Sequence, residues 1–534
     1  NVRNNRMNFK LKDKDYSSFY DPGVNIRQQN GYILKGEGVE TFECHFSYKG
    51  FQFIRITADK GVKVVQVEGV PVHTDVESTG SFTCSNSVVN RIQEISRISL
   101  LNNFHSIATD CPPREKQGWT ADNYISCEAA MYNFNMASFY TKWLVDLAGT
   151  QGKDGGLNQV APSSVVQNCY TTVWPAAIVY LPWKMLGYYA DTKALDQHYD
   201  VMLRFAKSSL LRQVAGKPEI INDVLGDWVS PNMTLSDSCI CNNTMAPPEG
   251  LTLYGTASHY NIVKHLAEIN KYFGRNQEAQ DMDTWADRIK QSFNKEFFDP
   301  RSESYHGDKP TDYRQSANLV PLDYGLVSDE NKPTVVKNII GNIHAQGDRL
   351  ATGFMGTVSL MNILPDVDPE LAFKVVTQKE YPGWGFMIAQ GANSMWETWD
   401  GDNSLNHTPF CLVSAYFYKH LAGIHCDMRA PGFKHVLINP SIVGDLKYVN
   451  AYYDSMYGRI GSSWKLENGK LIMNVSIPAN CTATVYIPTR QASSVLESGH
   501  AAANAQGVTF LREEAGKAVF TVGSGNYNFQ SVLN

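Results

Sequence analysis

Between Ser85 and Ile424 the apolar residues of this chain recur every three or four positions, whereas the segments on either side alternate every second position. A period near 3.6 lines up one face of a helix and a period of two lines up one face of a strand, so neither pattern serves the other element. The chain is therefore constrained to a long helical body with β-structure before and after it. Its 534 residues also exceed the size at which one hydrophobic core stops growing, which calls for several domains.

The helical period is clearest in SNSVVNRIQEISRISLLNNF, where Val88, Ile92, Ile95 and Ile98 share a face. Comparable patterns run through NYISCEAAMYNFNMASFYTKWLVDLAG, WPAAIVYLPWKMLGYYA, ALDQHYDVMLRFAKSSLLR, GTASHYNIVKHLAEINKYFG, TWADRIKQSFNKEFF, TVVKNIIGNIHAQ and SLMNILPDVDPELAFKVVTQ, and end with FCLVSAYFYKHLAGI. No fixed repeat signature joins them, which favours helices closed about a common axis over a solenoid. Upstream, TFECHFSY, FQFIRITA and VKVVQVEGV between positions 40 and 78 read as short strands separated by glycine turns. So few runs predict a partial or small sandwich that leans on the next domain. Downstream, an Asn468-Gly469 turn precedes Leu471, Met473, Val475 and Ile477 in strict alternation. The expected order is a partial or small β-sandwich and linker at 1–84, a helical domain at 85–425 and a C-terminal β-sandwich at 426–534.

Composition removes several classes of function. A net charge of -6 without a long Lys/Arg run offers no footprint for nucleic acid. No apolar run of 18 residues is present to span a membrane. The ten cysteines are scattered, and Cys239-Ile-Cys241 has the wrong spacing for a zinc knuckle. Asn232, Asn242, Asn406, Asn474 and Asn480 stand in glycosylation triplets, which carry meaning only in a secretory pathway. The opening NVRNNRMNFK is not a signal peptide, and a mature or trimmed form is expected.

Three clusters combine acids with indoles. DCPPREKQGWTAD, residues 110–122, holds Asp110, Arg114, Glu115, Lys116, Trp119 and Asp122; Asp122 also suits a helix cap, and the other charges suit a surface ion-pair knot. GWGFMIAQGANSMWETWDGDNSLNH sets Glu397 between Trp396 and Trp399, followed by Asp400, Asp402 and His407. Acid beside indole is the composition of a sugar subsite, where an apolar wall stacks on the ring and raises a carboxyl pKa. Two tryptophans anchoring a loop with a solvated Glu397 at its tip have the same composition. NDVLGDWVSP adds Asp223, Asp227 and Trp228 as candidates for hydroxyl recognition, while Trp174 and Trp183 are at least as well suited to the core. His407 has no second histidine at a metal-binding spacing, so it reads as a loop-organising or sugar-contacting residue.

The first cluster resembles the Asp-Cys-Pro-x-Arg-Glu-x-x-Gly-Trp-x-x-Asp signature of glycoside hydrolase family 78, the inverting alpha-L-rhamnosidases. YPGWGFMIAQGANSMWETWDG resembles its second signature, and the likeness continues through LATGFMGT, SLNH, HLAGI, PGFKHVLINP and YDSMYGRIGSSW, over roughly residues 85 to 490. The resemblance implies an (α/α)6 barrel carrying the active site, followed by a β-sandwich. It implies Glu115 as general acid and Glu397 as the base that activates water, with Asp110 and Asp122 on sugar hydroxyls, Trp119 lining the pocket and Arg114 pinning a carboxylate or sugar oxygen. An inverting pair stands about 6.5–9.5 Å apart to admit that water, and needs neither metal nor organic cofactor. Two positions depart from the family pattern: Ala176 stands where an acid is usual, and Arg349 where a histidine is usual. The first signature is also one residue shorter than its common Arg-Asp-Glu form.

The implied function is hydrolysis of terminal alpha-L-rhamnosyl bonds in an oligosaccharide, polysaccharide or glycoside. A periplasmic or extracellular enzyme is expected from substrate access. A same-fold glycosidase for another deoxy or uronic sugar and a noncatalytic carbohydrate-binding protein are the alternatives, and the oligomeric state stays open.

Overall fold

The structure, a computed structural model, describes residues 10–11, 14–15, 30–162, 171–231, 233–235 and 245–533. The triplets at Asn232 and Asn242, and Cys239 with Cys241, lie outside them. Helices occupy the middle of the chain and β-strands its C-terminal part, as the change of period requires.

The first helix, Ser87–Leu101, starts where Asn86 Oδ1 accepts from the Val88 and Val89 amides at 3.0 and 3.2 Å, satisfying donors that the helix itself leaves open. The expected helix after Asn123 is two, Thr120–Asn133 and Ala137–Ala148, because Phe134 turns extended between them. The Leu-Pro-Asp-Val segment divides likewise into Phe354–Val367 and Pro369–Thr377, with Asp368 capping the second through the Leu371 amide at 2.9 Å. Gln315–Asp323 and Trp384–Ala389 add helices whose patterns were too short to stand out. The last helical turns, Phe417–Leu421, form a π-helix.

Two sheets make up the C-terminal part. A seven-stranded antiparallel sheet runs in the order His500–Ala501, Leu496–Glu497, Gly525–Val532, Lys470–Ile477, Gly458–Glu467, Tyr448–Ser455 and Gly80–Cys84. A five-stranded sheet includes the parallel pair His435–Ile438 and Thr482–Pro488. Leu471, Met473, Val475 and Ile477 are all buried, so the alternation read from the sequence marks the inner face.

The strand Gly80–Cys84 precedes the helices in sequence yet pairs with Tyr448–Ser455, from Gly80↔Tyr453 to Cys84↔Val449. Its Phe82 is buried and stacks on Phe417 at 5.3 Å between centroids. Trp464 Nε1 donates to the Leu421 carbonyl at 2.8 Å and Ser462 Oγ to Ala422 at 2.6 Å, which locks the sheet to the end of the helical body.

The three alternating runs between residues 40 and 78 make no strand pairing among the described residues. Phe46 and Val65 are exposed there, at 101% and 69%. This segment nevertheless reaches the helical body: Tyr48 stacks on His105 at 3.6 Å, and Lys116 Nζ lies 4.0 Å over the Tyr48 ring.

Candidate active site

The loop from Asp110 to Trp119 and the segment from Trp396 to His407 meet at one place. The connection is Arg114, whose Nη2 lies 2.6 Å from Glu115 Oε1 and 3.4 Å from Glu397 Oε2. The shared nitrogen keeps those two oxygens within about 6 Å of each other, close to the span in which paired carboxylates act on one glycosidic bond.

Glu115 is half-buried and takes the Trp119 indole N–H on Oε2 at 2.8 Å. Its pKa is raised: burial is the largest influence and the Glu397 charge adds to it, while Arg114 and the Trp119 donor oppose. Burial therefore wins over Arg114. Glu397 is buried and lies among donors instead, with Ser404 N at 3.2 Å from Oε2 and with Trp228 Nε1 and Asn403 Nδ2 each at 3.4 Å from Oε1.

Behind the pair, Asp110 is fully buried, and burial first, then the neighbouring Cys111 and Glu115, pushes its pKa well above the carboxylate range. Asp110 Oδ1 accepts the Gln117 amide at 2.8 Å, which closes the loop on itself. Asp122 sits in the first turn of Thr120–Asn133, buried, with Oδ1 2.8 Å from His407 Nε2. It makes no capping bond; the carboxylate holds the imidazole. Burial alone would strip the His407 proton, but Glu397 and Asp122 outweigh it and hold the pKa well above the usual imidazole value.

The other candidate residues divide. Trp228 is half-buried and joins the site through its indole N–H. Asp227 is engaged by its own surroundings: its carboxylate accepts Ser316 Oγ at 2.6 Å and the Gly353 and Gly356 amides, each at 2.8 Å. Burial raises its pKa to about 6. Asp223 likewise accepts the Thr172 amide at 2.7 Å and the Val224 amide at 2.8 Å, organising its own loop. Trp399 is core: Nε1 donates to the Thr352 carbonyl at 2.8 Å and the ring stacks on Phe410 at 3.8 Å. Trp396 is buried against Gly401, where an added Cβ would come 2.9 Å from the indole. Ala176 is fully buried, and Arg349 bonds the Gln346 carbonyl at 2.6 Å and the Tyr381 carbonyl at 3.2 Å.

Sequence reasoning missed one support. Glu249, fully buried, pairs with Arg314 at 3.0 Å, and Arg314 Nη2 donates to Ser230 Oγ at 2.6 Å, two residues from Trp228. Both charges are isolated in sequence, and no local pattern announced them. A groove of about 570 Å³ on the outer face of the seven-stranded sheet is lined by neutral groups such as Asn450, Ser463 and Asn528. It contains none of the acids above, so the chemistry of the side chains, not cavity size, identifies the site.

Comparison with known proteins bears on the same residues. The model of the bacterial alpha-L-rhamnosidase six-hairpin glycosidase domain matches residues 77–421, that of the family's C-terminal domain 423–502, and that of its concanavalin-like domain 6–73. An alpha-L-rhamnosidase of Formosa agariphila is 29% identical over 93% of this chain and 53% of its own length. One from Streptomyces avermitilis is 29% identical over 93% and 46%. Among solved structures, the alpha-L-rhamnosidase from Dictyoglumus thermophilum superposes with a TM-score of 0.78 at 31% identity, over 86% of this chain and 52% of that one. The Streptomyces avermitilis alpha-L-rhamnosidase complexed with L-rhamnose gives 0.76 at 27%, over 86% and 42%. The chain thus spans about half the length of the curated relatives it matches. With a family model covering the helical body and both acid clusters, this chain belongs to the bacterial alpha-L-rhamnosidase family.

Proposed function

We propose that this chain hydrolyses terminal alpha-L-rhamnosyl bonds with inversion, with Glu115 as general acid and Glu397 as general base. The observation that carries the reading is the Arg114 bridge, which holds two carboxylates of unlike surroundings at one site. Glu115, its pKa raised by burial, keeps a proton for the leaving oxygen. Glu397, fixed by donors on both oxygens, suits an ionised base that draws a proton from water. Arg114 offsets the negative charge as Glu115 gives up its proton. Asp110, Asp122 and His407 supply hydroxyl partners, with Trp119 and Trp228 as the walls. Glycan substrates of this kind favour a periplasmic or extracellular location.

The test uses two rhamnosides that differ in their leaving groups. On a sugar-linked rhamnoside, Glu115→Gln and Glu397→Gln should each lower kcat/KM by about 10²–10⁴-fold. On 4-nitrophenyl alpha-L-rhamnopyranoside, whose phenolate departs without a proton, the Glu115→Gln loss should shrink while the Glu397→Gln loss persists. Proton NMR of the first product should show the inverted anomer. Retained configuration, or turnover surviving both changes, would overturn the assignment.

A further inference from the structure

Beside the catalytic pair lies a group that this mechanism does not use as a unit. Asp110, Cys111 and His407 are all buried, and one ligand atom from each falls within 4.8 Å of the others. Asp110 Oδ2 and His407 Nδ1 are buried and meet no partner other than the Cys111 thiol beside them. A thiol is a weak hydrogen-bond partner, so a stronger ligand gains there. A thiol, an imidazole and a carboxylate form a donor set suited to zinc, which binds sulfur at about 2.3 Å and nitrogen or oxygen at about 2.0–2.2 Å. Shifts of up to about an ångström would close these three atoms on such an ion.

Two further features point the same way. His407 directs its other ring nitrogen to Asp122 at 2.8 Å, the carboxylate-to-histidine support that orients metal-binding imidazoles. Asp110, Glu115, Asp122 and Glu397 surround the spot against Arg114 and His407, an excess of acid that favours a cation.

We propose that Asp110, Cys111 and His407 form a site for one thiophilic divalent cation, with zinc as the reference ion, and that its occupation stops hydrolysis. On binding, Cys111, His407 Nδ1 and Asp110 release the protons they carry to solvent and ligate as thiolate, neutral imidazole and carboxylate. The Glu115 amide lies 3.4 Å from Cys111 Sγ, and Glu397 Oε2 lies 4.0 Å from His407 Nδ1. The ion therefore adjoins both acids, and Glu397 supplies the fourth ligand, which takes that carboxylate away from the attacking water. The binding half stands on the donor set alone; the blocking half rests on the proposed function.

Cobalt(II) chloride added to the full chain should give a thiolate-to-cobalt charge-transfer band that saturates at one equivalent and is displaced by zinc chloride. In Cys111→Ser the band should vanish, and calorimetry should show zinc binding at least tenfold weaker. Absence of the band from the unaltered chain overturns the site without recourse to any variant, and an equal band in Cys111→Ser assigns it to another cysteine and does the same. If the site fills, one equivalent of zinc should abolish aryl rhamnoside hydrolysis and EDTA should restore it. Unchanged hydrolysis at saturation overturns the blocking half. A chain that binds cobalt through Cys111 but hydrolyses no rhamnoside leaves the site standing and removes the function.

Discussion

Trp119 is set against the burial that raises the Glu115 pKa. Its N–H bond to Oε2 favours the ionised carboxylate, so removing it should raise the Glu115 pKa further. A general acid is lost as pH rises through its pKa, so the proposed role puts Glu115 on the alkaline limb of kcat/KM. In Trp119→Phe that limb should therefore move to higher pH, whatever the loss in KM from a smaller ring. A pH–rate profile checks this, and an unmoved limb would mean that another group titrates there. The two acids themselves were legible because each sits in a dense cluster of charge and indole. Trp399 sits in the same kind of cluster and is core, because neighbours in sequence do not reveal which side of a turn packs on Phe410.

Asp227 works at the level of the loop. It ties residues near Trp228 to Ser316 and to the start of Phe354–Val367, and Gly353 is required there because a Cβ would lie 2.3 Å from the Trp228 carbonyl. Its pKa, raised from 3.8 to about 6, has a definite sign: the folded state holds this proton more tightly than the unfolded one, so its contribution is full below about 4 and is lost as pH rises through about 6. Asp227→Asn, which cannot ionise, should therefore gain stability relative to the unaltered chain across that window, by on the order of 3 kcal/mol. Urea unfolding at about pH 4 and about pH 7.5 measures most of the difference, and a constant gap would contradict it. Helix positions were legible because periodicity extends over many residues. The Glu249–Arg314 pair was not, since it joins two segments through a single side chain each.

At the scale of the molecule, the strand Gly80–Cys84 ties the N-terminal side of the helical body to the C-terminal sheet. Phe82→Ala removes a buried ring from that junction and should cost about 3–5 kcal/mol in urea unfolding. The circular dichroism of the sheet and the helices should weaken together, because the ring packs on Phe417. The sheet order itself was beyond the sequence: alternation identified strands after residue 448 but assigned none of their partners, and it marked runs before residue 78 that make no strand pairing among the described residues. The order has a further effect during synthesis. Cys84 leaves the ribosome long before its partner Val449, and at ordinary elongation rates the interval is on the order of 20 to 70 s. Through that interval Gly80–Cys84 has no Tyr448–Ser455 to pair with, while every helix between is translated. One edge of the final sheet is therefore completed only after the helical body has been made.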